Sequence, residues 1–104
     1  MSADGIVLDE TIHQPTRLRI MTMLVSQEGG GRLAYGFIQQ ALELTGGNLT
    51  THLRRLEDAG FLETSKVFEN SKPRTWITAT ESGRRAYASY LANLRKALDW
   101  SQPA

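Results

Sequence analysis

The sequence predicts a mainly α fold carrying a small β-hairpin, and three observations predict it. Apolar residues recur at spacings of three and four over much of the chain, as in Leu49, Leu53 and Leu56. Two runs rich in β-branched and aromatic residues, Phe61 to Val67 and Arg74 to Ala79, flank Asn70-Ser71-Lys72-Pro73 and read as two strands and their turn. The 104 residues suffice for one core and not for two, because domains usually run to about 100 to 150 residues.

The elements follow in order. Residues 1–7 read as a flexible leader, and a domain spans 8–98. Leu8 and Ile12 suggest a short helix, and Pro15 opens a second, since its fixed φ suits a first helical turn. Around that second helix Leu18, Met21 and Val25 share one side while Ile20 and Leu24 lie well round from them. A helix apolar over so much of its circumference needs cover on more than one side, which hints at a dimer. Gly29, Gly30 and Gly31 make a loop, and Tyr35 to Leu44 marks a further short helix. Thr45, Gly46 and Gly47 are expected to form a tight turn, with the next helix running from about Asn48 to Ala59 and Gly60 as its C-terminal cap.

After the hairpin, Thr80 caps a last helix over about 80–98, with Glu81 near the positive end of its dipole. Its stripe of Tyr87, Tyr90, Leu91, Leu94 and Leu98 extends over about 28 Å and is expected to pair with a second copy. Leu8 and Ile12 are assigned to the same dimer surface. Residues 99–104 read as a tail.

Composition narrows function. Apolar residues at 40% and charged residues at 22% are ordinary for a globular chain and argue against disorder. There is no cysteine, so disulfides, thiolate metal sites and cysteine catalysis are excluded. Arg17, Arg19, Glu43 and Arg54 interrupt the apolar stretches, so no membrane span is expected; Met1 to Gly5 lacks the features of a signal peptide, and a cytoplasmic location is expected. Two histidines and no recognisable Ser-His-Asp, P-loop or paired-carboxylate motif leave an enzyme, a metal site and a cofactor without support.

The order of helices, tight turn, helix, hairpin and helix is a winged helix-turn-helix arrangement. In such folds the helix after the turn enters the DNA major groove, about 12 Å wide. With Leu49, Leu53 and Leu56 turned to the core, Thr51, Arg54, Arg55 and Asp58 face outward, and Asn48 and Thr50 flank them. Arg can bond guanine or phosphate, Asn can pair with adenine, and Thr can touch phosphate or a thymine methyl. His52 lies beside the leucine edge and is expected to bond backbone or phosphate. Lys72 and Arg74, either side of Pro73, would form a cationic wing tip on the backbone or in the minor groove, whereas Lys66 is ambiguous. The net charge of +1 leaves one competitor, a winged-helix module that docks on protein instead of DNA.

Two stretches carry a family resemblance. PTRLRIMTML, Pro15 to Leu24, resembles the start of the ArsR-type regulator domain, and LTTHLRRLEDAGFLE, Leu49 to Glu63, resembles the recognition helix and first wing strand of ArsR- and MarR-like regulators. KPRTWITATESGRRAY, Lys72 to Tyr87, is similar to the MarR-like passage from wing to last helix, with Ala79-Thr80-Glu81-Ser82-Gly83 where Leu-Thr-x-x-Gly is usual. The resemblance implies a homodimeric transcriptional regulator of double-stranded DNA, acting as a repressor, with terminal helices paired and Asn48, Thr50, Thr51, Arg54 and Arg55 toward DNA. Two half-sites would then lie about 34 Å apart. Metal-sensing members use cysteines, which this chain lacks, and larger relatives enclose a ligand pocket for which it has little room, so no effector is assigned.

Overall fold

A computed structural model describes residues 6–99. The expectations for the first five residues and for Trp100 to Ala104 lie outside the described residues. Four helices surround the base of a three-stranded antiparallel sheet: α1 (Pro15–Val25), β1 (Leu33–Ala34), α2 (Tyr35–Leu42), α3 (Gly46–Asp58), β2 (Leu62–Glu69), β3 (Lys72–Ala79) and α4 (Glu81–Leu98). A single 3₁₀ turn, Glu28–Gly30, precedes β1, whose pairing with β3 makes the sheet order β1-β3-β2. The predicted hairpin therefore gains a short third strand, too brief to show a period-2 pattern.

Three of the four helix starts, all but that of α2, have a side-chain cap. The Gln14 side chain accepts the Arg17 N–H and Pro15 opens α1; Thr45 accepts the Asn48 N–H at α3, and Thr80 the Gly83 N–H at α4. At the end of α3, Gly60 takes a left-handed φ of 82°, while Gly60 and Phe61 N–H groups reach back to Glu57 and Leu56 carbonyls at 2.9 Å. That reciprocal pair is a Schellman close, as the sequence leads one to expect.

Several expectations are corrected. Residues 8–14 form no helix but an extended start, a turn at 10–12 and a bend: the Asp9 carboxylate accepts the Ile12 N–H at 3.1 Å, competing with the helical bonds that Asp9 would otherwise flank. Val7, assigned to the flexible leader, gives its carbonyl to the Asn93 amide at 2.8 Å. The reversal before α3 is made by Glu43 in the left-handed region, φ 53°, while Gly46 and Gly47 are the first residues of α3 itself. The hairpin tip is Asn70-Ser71, both at positive φ, which is a two-residue turn whose twist suits the strands; Lys72, Pro73 and Arg74 already belong to β3. Beyond Trp76, β1 leaves the other edge of β3 open, so the missing N–H of Pro73 costs no ladder bond.

The core joins Ile20, Met21 and Leu24 of α1 to Ile38 of α2, Leu49, Leu53 and Leu56 of α3, Leu62 and Ile77 of the sheet, and Tyr90 of α4. The all-round apolarity of α1 is thus used within one copy, since α1 lies against α3, α4 and β3. The same burial splits the proposed dimer stripe. Ile12 and Tyr90 are core residues, with the Tyr90 hydroxyl 2.7 Å from His13 Nδ1; Leu8, Tyr87 and Leu94 are partly buried against the core, and the Tyr87 hydroxyl meets Thr22 Oγ1 at 2.8 Å. Leu91 and Leu98 stay exposed, at 37% and 75%.

Candidate nucleic-acid interface

α3 is positioned by its leucines. At about 100° per residue, Leu49, Leu53 and Leu56 define the buried side, which leaves an outer ridge of Gly47, Thr51 and Asp58 with a flank on either hand. The flanks differ. On one, the Thr50 hydroxyl meets Tyr35 Oη at 2.8 Å, and Tyr35 Oη also donates to the Gly46 carbonyl at 2.7 Å. Farther along that flank, Glu57 Oε2 accepts the Thr64 hydroxyl at 3.1 Å and the Thr64 N–H at 3.4 Å, tying β2 to α3. Arg54 lies between them and lines an open cleft of about 350 Å³ with Lys66 and Thr75 of the wing.

The other flank carries Asn48, His52 and Arg55 and faces α1. His52 Nδ1 lies 3.2 Å from Arg17 Nη1, and Arg17 Nε donates to the Thr11 carbonyl at 2.5 Å. Partial burial, then the charges of Arg17 and Arg55, hold the His52 imidazole below its ordinary pKa of 6.5, so it is neutral and its Nδ1 accepts from Arg17. Burial and Arg55 push the Arg17 guanidinium down as well. Arg54 and Arg55 therefore do more than straddle one face: one serves the wing side, the other the α1 side.

Along the wing, successive side chains alternate between faces. Lys66 falls on the side of the cleft with Thr64 and Thr75, and Phe68, 78% exposed, continues that side toward the tip. Arg74 belongs to the alternate set with Trp76, its guanidinium carbon 5.3 Å from the indole centroid. Arg32 lies closer over the same ring, at 4.0 Å, and pairs with Glu69 at 3.7 Å. The structure thus brings Asn48, Thr50, Thr51, His52, Arg54 and Arg55 together on one helix, with Lys72 and Arg74 apart from them on the wing. Arg17, Tyr35 and Thr75, which are not candidates from the sequence, join the surface, as does Lys66, whose role the sequence leaves ambiguous. For Lys66 and Thr75 the strand register would have been signal enough; Arg17 and Tyr35 reach α3 only through tertiary packing.

A helix with an exposed polar ridge, projecting beside a two-stranded wing, is the geometry of a DNA-reading fold, and comparison with known proteins agrees. The family described as winged helix DNA-binding domain matches residues 16–98. The chain belongs to that family. A transcriptional regulator homologue from Pyrococcus horikoshii is similar in structure at a TM-score of 0.80 and 32% identity, over 91% of each chain. A protein assigned to the MarR family of transcriptional regulators, from Enterococcus faecalis, superposes at a TM-score of 0.70 and 26% identity, over 84% of this chain and 76% of its own. An uncharacterised protein of Methanocaldococcus jannaschii is 35% identical over 75 residues, covering 72% of this chain and 78% of that one. This winged helix domain is of the MarR type, and its family and fold are those of DNA-binding transcriptional regulators, not of enzymes. Among the described residues no helix is long and apolar enough to cross a membrane.

Proposed function

We propose that the chain is a sequence-specific, homodimeric repressor that reads double-stranded DNA with α3 in the major groove and lays its wing along the backbone. The observation that carries this reading is the exposed face of α3, where Asn48, Thr51, Arg54 and Arg55 stand on a helix anchored by three buried leucines. Among the described residues no carboxylate forms an ion pair with Arg54, Arg55 or Lys66, so these cations are available to base edges and phosphates. Leu91 and Leu98 on α4, with Val7 at 70% exposure, support pairing with a second copy, since large apolar side chains left in water favour burial. Occupying an operator is enough to repress, and it requires only these surfaces.

Selection of bound sequences from a random duplex library tests the reading. A palindromic consensus with half-site centres about one helical turn apart is expected. Recovery of no enriched sequence would overturn specific recognition, and a single unrepeated half-site would overturn the dimer.

A further inference from the structure

The α1 flank of α3 gathers two arginines and a histidine that, among the described residues, form no ion pair with a carboxylate. His52 Nδ1 and Arg17 Nη1 are 3.2 Å apart, and Arg55 lies close enough to act on both groups electrostatically. The groups facing the imidazole are Arg17 from α1 and Arg55 from α3; from the preceding turn Thr11 offers only its carbonyl, to Arg17, and His13 is turned to Tyr90. Among the described residues neither Arg17 nor Arg55 has a carboxylate partner. Like charges held together without a counter-ion cost stability, so such a cluster is explained when an anion joins it.

The position of the cluster says which anion. A helix lying in the major groove has a phosphate strand along each flank. The wing, with Lys66, serves the Arg54 flank, so the strand opposite can be met only by the flank that faces α1. We propose that Arg17, His52 and Arg55 form a phosphate clamp bridging α1 and α3, which grips the DNA strand away from the wing and takes up one proton at His52 as it closes. In the free protein, neutral His52 accepts from Arg17. Once Nδ1 is protonated it can no longer accept; the bond to Arg17 breaks, and both cations can turn to the phosphate, whose charge offsets their repulsion. The inference rests on the groove-binding reading and adds to it a residue of α1 and a proton.

The test uses the full chain and a fluorescently labelled duplex of random sequence, so that phosphate contacts dominate, with anisotropy read from pH 8 to pH 5.5 at fixed salt. Affinity of the wild type is expected to rise as pH falls, by at most about tenfold per pH unit for each clamp that takes up a proton. His52→Gln, whose amide oxygen can still accept from Arg17, should abolish that pH dependence. Arg17→Gln should lower the slope of log affinity against log salt by about 0.9 per protomer, one phosphate contact, with far-ultraviolet circular dichroism confirming the fold. If Arg17→Gln fails to fold, Arg17→Lys serves: it retains the charge and should hold the salt slope. A pH dependence that survives His52→Gln, or a salt slope unmoved in folded Arg17→Gln or lost in Arg17→Lys, overturns the clamp while leaving groove binding intact. Absence of wild-type binding at low salt overturns both.

Discussion

Gly83 has no room for a side chain. A Cβ built there would stand 2.0 Å from the Phe61 carbonyl oxygen, on backbone that cannot swing aside. That carbonyl also accepts the Thr80 N–H at 3.1 Å, and the Thr80 hydroxyl lies 2.6 Å from the Gly60 carbonyl, so α4 is sewn to the first wing residues at closest approach. Gly83→Ala should destabilise the fold by about 3 kcal/mol or more, beyond ordinary overpacking, as read from urea unfolding. The opposite is expected at Gly47, which opens α3 with nothing within 4 Å of a Cβ. Gly47→Ala should raise stability by up to about 1 kcal/mol yet weaken duplex binding, because its added methyl stands on the ridge proposed to enter the groove. His52 gives a pH signature in the absence of DNA. Its folded pKa is depressed, so the unfolded chain binds the proton more readily; the stabilising contribution is complete above about 6.5 and is lost as pH falls through that value toward the folded pKa. Thermal melts should show the wild type losing more stability than His52→Gln on acidification from pH 8 to pH 5, the reverse of the acid response proposed for DNA affinity.

Elements with strong periodic or capping signals were readable from the sequence. α3, α4, the Thr80 cap and the Gly60 close follow from residues adjacent in the chain, and local chemistry decides them; Thr45 reads as part of a turn, whereas it is the α3 cap. The misreadings fall where tertiary structure or an unusual φ decides. The glycine pair invited a turn that Glu43 makes instead, and the Asn70-Ser71 tip lacks the glycine that normally marks a two-residue hairpin, so the register and wing faces stayed hidden. Ser71 sits at φ 64°, where a side chain is disfavoured. Ser71→Gly should therefore stabilise the wing by about 1 kcal/mol, seen as a higher urea midpoint and slower amide exchange in β2 and β3.

Across the whole molecule, the outward residues of α3 were found from a helical wheel, because three leucines fix its rotation. The dimer stripe was drawn too wide. Periodicity reports that α4 is apolar on one side, but not which molecule covers it, and here Tyr90 and much of Tyr87 and Leu94 are spent on the chain's own core. What remains, Leu91 and Leu98, makes Leu98→Asp informative: at 75% exposure the change should leave the fold unaltered while sedimentation shifts from dimer to monomer. The surface proposed to face DNA is likewise a property of the assembled fold, with the wing on one flank of α3 and α1 on the other. Its central claim is tested most directly by changing Arg54 and Arg55 together to alanine and titrating a labelled duplex at low salt. The expected result is binding weakened by at least tenfold, with circular dichroism unchanged and melting temperature not lowered; a folded double variant that binds DNA as tightly as the wild type would contradict it.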